Sequence, residues 1–376
     1  MTLKERILAP GAKKILALDG GGIRGMMTVE ILAAIEEMLR RELGETTNFV
    51  LADFFDFVAG TSTGAIIAAC IALGKPMKDI RRLYLESGKD MFDKANVFRR
   101  YTYNKYDDER LAEKLRKEIG PNQTLGSPEL KTLLMLVMRN ATTDSPWPIS
   151  NNPYAKYNLE NRRQTPGDCN LDLPLWQLVR ASTAAPVYFP PEVVCLGPRK
   201  FVFVDGGITT YNNPAFRAFL MATVEPYNLN WPTGENQMLV VSIGTGTSPG
   251  IKGTLKPSDM HLLYNAESLP SALMSAALTE QDFLCRVFGK CLCGDPLDRE
   301  IEDMIDKRGP VHPKLFTYVR YNAELSREGL ESLGLHDIVP ENVQKLDSVE
   351  HIEELRRIGT AIANKALNTE DFKPFL

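Results

Sequence analysis

The chain has 376 residues, 44% hydrophobic and 24% charged, enough to bury the core of one large domain or two smaller ones. A formal net charge of −4 excludes a bulk basic surface of the kind that binds nucleic acid. No apolar run reaches the ~18 residues of a membrane span, residues 1–6 lack a secretory apolar core, and six scattered cysteines fit reduced thiols, so a cytoplasmic protein is expected.

Residues 14–18 read as a first strand, feeding the loop Asp19-Gly20-Gly21-Gly22-Ile23-Arg24-Gly25. Residues 26–41 carry apolar side chains at Val29, Leu32, Ile35, Met38 and Leu39, which predicts a helix with charges on its other face. A second strand–turn–helix unit follows. Residues 53–59 are short, apolar and aromatic, residues 65–73 are small and apolar up to Gly74, and between them lies Gly60-Thr61-Ser62-Thr63-Gly64.

Further helices are expected at 78–87 and 108–119. The intervening residues 97–106 interleave basic and aromatic side chains. They read as a surface loop, with lipid head groups as the alternative partner. Residues 133–138 predict a central strand, and 142–172, rich in Pro, Asn and Thr, mostly loop. A helix at 173–183 and a strand at 200–204 precede Asp205-Gly206-Gly207, and 238–243 and 315–321 predict two more strands. Asp347-Ser348-Val349-Glu350 has the form of a capping box before an amphipathic helix with Ile352, Leu355, Ile358 and Ile362 inward. Strands alternate with helices and no composition break marks a linker. The expectation is one α/β domain over 1–376 around a mostly parallel sheet.

In such sheets functional residues gather at the carboxyl ends of strands. Asp19, Ser62 and Asp205 each lie just past an expected strand end. Gly-x-Ser-x-Gly on a tight strand-to-helix turn exposes the serine at a helix N-terminus, where negative charge is favoured. Gly60 and Gly64 are needed there because side chains at those positions would make strand and helix collide. Gly20, Gly21 and Gly22 can turn successive N–H groups one way, forming an oxyanion hole beside such a serine. Arg24 either steadies that loop or attracts an anionic head group.

A serine hydroxyl needs a base. Asp205, with Gly206 leaving room for close approach, could take its proton if burial raises the carboxyl from its usual value near 3.9. The plain alternative is a turn-forming Asp-Gly. His261, His312, His336 and His351 leave a Ser-His-Asp hydrolase formally open, though none sits in a glycine-rich strand-end turn. Residues 20–25 also match the Gly-x-Gly-x-x-Gly dinucleotide fingerprint. The acidic residue that fingerprint wants about 20 positions on is missing from a second strand end, so a nucleotide-binding module is the alternative of another class. Cys285, Cys291 and Cys293 cluster without the paired spacing of a zinc site, and no metal is expected.

Taken together, Asp19–Gly25, Gly60–Gly64 and Asp205–Gly207, in this order, resemble the patatin-like phospholipase family. Residues 181–186, 188–190 and 212–215 are similar to further blocks of that family, so the likeness runs over about residues 14–220. It implies a three-layer α/β/α sandwich and a Ser–Asp dyad without histidine, with no cofactor. Ser62 would be the nucleophile, Asp205 the base, and Gly20, Gly21 and Gly22 the oxyanion hole. It also implies acyl-lipid substrates, membrane phospholipid first, met by peripheral docking. Residues 250–376 carry little of the likeness and are where specificity, a lid or regulation is expected to differ.

Overall fold

The apolar runs of the sequence become strands buried on both faces, which is why they are continuous rather than alternating. A computed structural model describes residues 2–45, 48–92, 107–159, 161, 167–186, 188–248 and 262–376, without the side chains of 107–110 and 262–271. The basic and aromatic residues 97–106 and His261 lie outside the described residues.

The strands are β1 (Lys13–Leu18), β2 (Phe57–Thr61), β3 (Leu133–Asn140), β4 (Ser145–Ser150), β5 (Glu192–Leu196), β6 (Arg199–Asp205), β7 (Met238–Ile243), β8 (Lys290–Cys293) and β9 (Thr317–Tyr321). The longer helices are α1 (Leu3–Leu8), α2 (Gly25–Glu42), α3 (Leu51–Phe54), α4 (Thr63–Ala72), α5 (Met77–Phe92), α6 (Asp107–Ile119), α7 (Leu175–Ser182), α8 (Ala215–Thr223), α9 (Leu262–Phe288), α10 (Arg327–Ser332), α11 (Pro340–Val343) and α12 (Ile352–Ala366).

One sheet runs in the order β5-β6-β3-β2-β1-β7-β9-β8, with β4 beside β3. From β3 through β2, β1, β7 and β9 to β8 every pairing is parallel. The pairings of β4 and β6 with β3, and of β5 with β6, are antiparallel. The sheet is therefore mostly parallel, as alternation of strands and helices predicted. Successive side chains of each strand point to opposite faces. Leu16, Leu18, Val58, Leu134, Leu136, Leu239 and Val241 join a core with α2, α4, α5, α7 and α12. Ile15, Ala17, Phe57, Ala59, Met135 and Val240 join a second core with α8 and the end of α9. Two cores on one sheet make three layers.

Local expectations fail where tertiary pairing overrides them. Residues 53–59 are not one strand: a single helical turn ends at Phe54, closed by Asp53 Oδ2 accepting from Val50 N at 2.9 Å, and β2 starts at Phe57. The expected loop 142–172 contains β4, whose Pro146 and Pro148 are tolerated because β4 pairs on one side only. No capping box forms at 347–350. The chain enters α12 through a short 3-10 turn at Val349–His351, and Ser348 makes no side-chain cap. The reciprocal box is instead at Thr2 and Glu5.

Helix α2, which leaves the glycine loop, is held from outside by one carboxylate. Glu30 accepts from Arg81 Nε and Nη2 at 2.7 and 2.6 Å and from Arg356 Nε at 3.1 Å, tying α2 to α5 and α12.

Candidate active site

Ser62 sits between β2 and α4 with φ 54° and ψ −123°, a conformation costly for a residue with a side chain. The flanking glycines hold it there. A Cβ on Gly60 would lie 2.2 Å from the Gly64 carbonyl oxygen, and one on Gly64 would lie 2.3 Å from that of Leu18. Both would strike backbone: Gly60 avoids the collision of strand and helix expected from the sequence, whereas Gly64 makes room for the end of β1. The turn is pinned from α7: Ser62 N donates to Ser182 Oγ at 3.0 Å, and Ser182 Oγ donates to Val137 O at 2.5 Å.

Asp205 is the last residue of β6. Ser62 Oγ donates to its Oδ2 at 2.6 Å, and Gly207 N donates to its Oδ1 at 2.6 Å. The serine is 8% and the aspartate 4% exposed, so this contact is closed to most solvent. Burial pushes the Asp205 carboxyl up to about 6, opposed by the hydrogen bonds from Ser62 and Gly207. Gly206 lets β6 end this close: a Cβ there would lie 2.2 Å from Val137 O.

The glycine loop abuts the same point. An ideal Cβ on Gly20 lies 3.2 Å from Ser62 Cβ. Gly20 is spoken for on both sides: its N–H donates to Asn212 O at 3.2 Å, and its carbonyl accepts from Thr245 Oγ1 at 2.7 Å. Among the described residues, the N–H groups of Gly21 and Gly22 donate to no partner. Gly22 has φ +59°, and Ile23 N then returns to Leu346 O at 3.0 Å. Arg24 reaches away from Ser62 to Gln344 O at 3.1 Å, and burial lowers its guanidinium to about 10. The buried Asn212 side chain lies between Gly20 and Gly207, and its Oδ1 finds no hydrogen-bond partner.

Asp19, at the base of the loop, is clamped by Arg320, whose Nη1 and Nη2 donate to Oδ1 and Oδ2 at 3.0 and 2.6 Å. Burial pushes the Asp19 carboxyl up from its ordinary value, and Arg320 draws it back down.

The other candidates stand apart. His312 and His336 are exposed, and His351 bonds Glu354. Residues 39–42 lie inside or at the end of α2, not at a second strand end as a dinucleotide site would need. Cys285 and Cys291 are buried and Cys293 half-buried. Burial pushes the Cys291 and Cys293 thiols up to about 12 and 11, so both stay protonated. Among the described residues no group of three or more His, Cys, Asp or Glu side chains could hold a metal ion, and no helix is long and apolar enough to cross a membrane.

Sequence reasoning missed Ser182, Asn212, Thr245 and Arg320. Ser182 and Asn212 fall in stretches it singled out for resemblance without assigning them work. Arg320 had a signal of its own: a lone charge inside an otherwise apolar central strand needs a buried partner.

A serine on a strained strand-to-helix turn, a buried acid against it and free amides alongside, all at strand carboxyl ends, define the candidate site of an α/β protein. The sequence model of the Patatin-like phospholipase family matches residues 16–219, more than half of the chain. The chain belongs to that family. It is 29% identical over 259 residues to Patatin-T5 of Solanum tuberosum, covering 62% of this chain and 60% of that one. To the cGAMP-activated phospholipase of Escherichia coli (strain TW11681) it is 29% identical over 236 residues, 62% of each chain. To the Intracellular phospholipase A2 of Caenorhabditis elegans it is 29% identical over 241 residues, 62% of this chain and 20% of that one. The chain thus spans about three fifths of the length of the first two and a fifth of the third.

Proposed function

We propose that this protein is a lipid acyl hydrolase working through Ser62 and Asp205. The observation that carries the reading is the 2.6 Å bond from Ser62 Oγ to Asp205 Oδ2 beside the free amides of the glycine loop. As Ser62 Oγ attacks an ester carbonyl, its proton passes to Asp205. The carbonyl oxygen becomes an anion, held by the N–H groups of Gly21 and Gly22. Gly20, whose own N–H is engaged, acts as backbone support, as do Gly60, Gly64 and Gly206. On collapse, Asp205 returns the proton to the departing alcohol oxygen and the acyl group stays on Ser62. Water then attacks this ester with Asp205 again as base, and the fatty acid leaves. The steps call on these side chains and amides alone.

Base catalysis at about 10²–10⁴-fold and each oxyanion donor at about 10²–10³-fold together supply a large share of an esterase's acceleration. Phospholipid is the substrate proposed, because two of the relatives are named phospholipases, and the protein would meet it by docking on a membrane surface. The test is fatty-acid release from phospholipid vesicles and from a soluble ester. Wild type should release acid from both, Ser62→Ala from neither, and Asp205→Asn at least 10²-fold more slowly. Unchanged turnover in Ser62→Ala would end the proposal.

A further inference from the structure

Two amides in a glycine-rich loop keep one direction only if something outside the loop fixes it, because glycine itself prefers no single conformation. Here the fixing comes from β9, beyond the residues that the family model matches. Arg320 aligns with Ser242 of β7, which aligns with Ala17 of β1, so its side chain crosses one strand to reach Asp19. It grips both Asp19 oxygens, and its Nη1 also donates to Ser242 Oγ at 2.6 Å. On the other side its Nε lies 3.8 Å from Asp282 Oδ2. Asp282 is itself fixed by Arg286 at 2.9 and 2.8 Å and by the Tyr318 hydroxyl at 3.0 Å. One guanidinium thus ties α9, β7 and β9 to the residue that starts the loop.

We infer that Arg320 is the positioning residue of the glycine loop: through Asp19 it sets the direction of the Gly21 and Gly22 amides. The inference rests on the hydrolase reading above. Asp19 precedes Gly20 directly, so a carboxylate gripped at both oxygens fixes the backbone from which the Gly21 and Gly22 amides are aimed. Arginine suits the task because its planar fork serves both Asp19 oxygens and Ser242 at once, which the single ammonium of lysine cannot.

The fold also offers a direct test. Arg320 lines a cavity of about 780 Å³ together with Asp282, Arg286 and Tyr321. A small cation from solution can therefore reach the space that Arg320→Ala would vacate. With a soluble ester, Arg320→Ala should lower kcat about 10²-fold and leave KM within about twofold, because the interaction matters only once the oxyanion forms. Guanidinium at tens of millimolar should recover about tenfold of that loss, whereas urea at equal concentration should not, since it has the shape without the charge. Arg320→Lys should fall between.

Hydrogen exchange supplies a readout independent of turnover. The amides of residues 19–25 should exchange faster in Arg320→Ala and slow again with guanidinium. Wild-type kcat in a folded Arg320→Ala, a loss confined to KM, or equal recovery by urea would overturn the inference. If Arg320→Ala does not fold, Arg320→Lys with unchanged kcat and unchanged exchange at 19–25 overturns it as well. A wild type that releases no acid would count against the hydrolase reading instead, and the exchange experiment would still decide the role of Arg320.

Discussion

Thr61 lies opposite Val137 and Asp205 opposite Met138, so the last residues of β2 and β6 rest on consecutive residues of β3. Both strands use the same edge of β3, because β4 occupies the other along residues 135–140. Antiparallel to β3, β6 runs down that edge toward β2 and stops where β2 ends. The turn after Thr61 and the carboxyl at the end of β6 are thereby brought to one place. The β3 ladder sets their separation.

The height of the Asp205 carboxyl sets a pH profile. With its proton leaving at about 6, the base form rises through that pH. On a soluble ester, kcat/KM should climb with unit slope to a half-maximum near pH 6 and level off above about pH 7. Replacing His261, His312, His336 and His351 with Gln, one at a time, should leave the profile in place. A profile that moves with any one of them would put that histidine in the proton path.

Asp205 should also weaken the fold that holds it. In the folded chain its carboxyl sits at about 6 against an ordinary 3.8, so the native state binds the proton more tightly than the unfolded chain does. Its contribution to stability is fully present below the unfolded value and is lost as pH rises through about 6. Above that, the cost of the two-unit difference is about 3 kcal/mol. Asn has no charge to bury, so Asp205→Asn should be stabilised by up to about 3 kcal/mol at pH 8 and hardly at all near pH 4. Urea midpoints at the two pH values check this, and an equal gain at both would contradict it.

Strain at the turn can be measured by comparing two variants of Ser62. Ser62→Ala keeps a Cβ at φ 54°, whereas Ser62→Gly does not. The glycine variant should be more stable by about 1–2 kcal/mol, the reverse of the usual order within regular structure. Gly64→Ala should lose about 3 kcal/mol, since its Cβ meets the Leu18 carbonyl at 2.3 Å and backbone cannot step aside. Chemical denaturation of wild type and the three variants decides both points.

Ser182 bridges Ser62 N to Val137 O. Ser182→Ala would leave a buried donor and a buried acceptor without partners, at a cost of about 1–3 kcal/mol for each. Its kcat should fall with its stability because the turn loses its tie to β3, while Ser182→Thr, which keeps the hydroxyl, should recover part of both. Stability lost with kcat intact would make Ser182 a packing residue only.

The legible parts of this protein are those whose cause lies within a few residues. Gly60 announces a tight turn because the clash it avoids, with the Gly64 carbonyl, is between near neighbours in the chain, whereas the clash Gly64 avoids is with Leu18 on β1. β1, β2, β3 and β7 announce themselves as unbroken apolar runs because both their faces are buried. Less was legible where a segment's character depends on its neighbour. The prolines of β4 read as loop until β3 supplies a one-sided ladder. β8 is four residues long and is a strand only beside β9. Helix α9 was not among the expected elements, and it is the tie from Arg286 and Asp282 to Arg320 that gives its end a place in the site.

By itself the sequence determined three strand-end loops, because backbone sterics and apolar periodicity act locally. That Ser62 and Asp205 share a proton across 143 positions, and that Arg320 holds Asp19 across 301, was decided only by the sheet. Strand order and register arise from hydrogen bonds and burial between distant segments, and no short stretch of chain contains them.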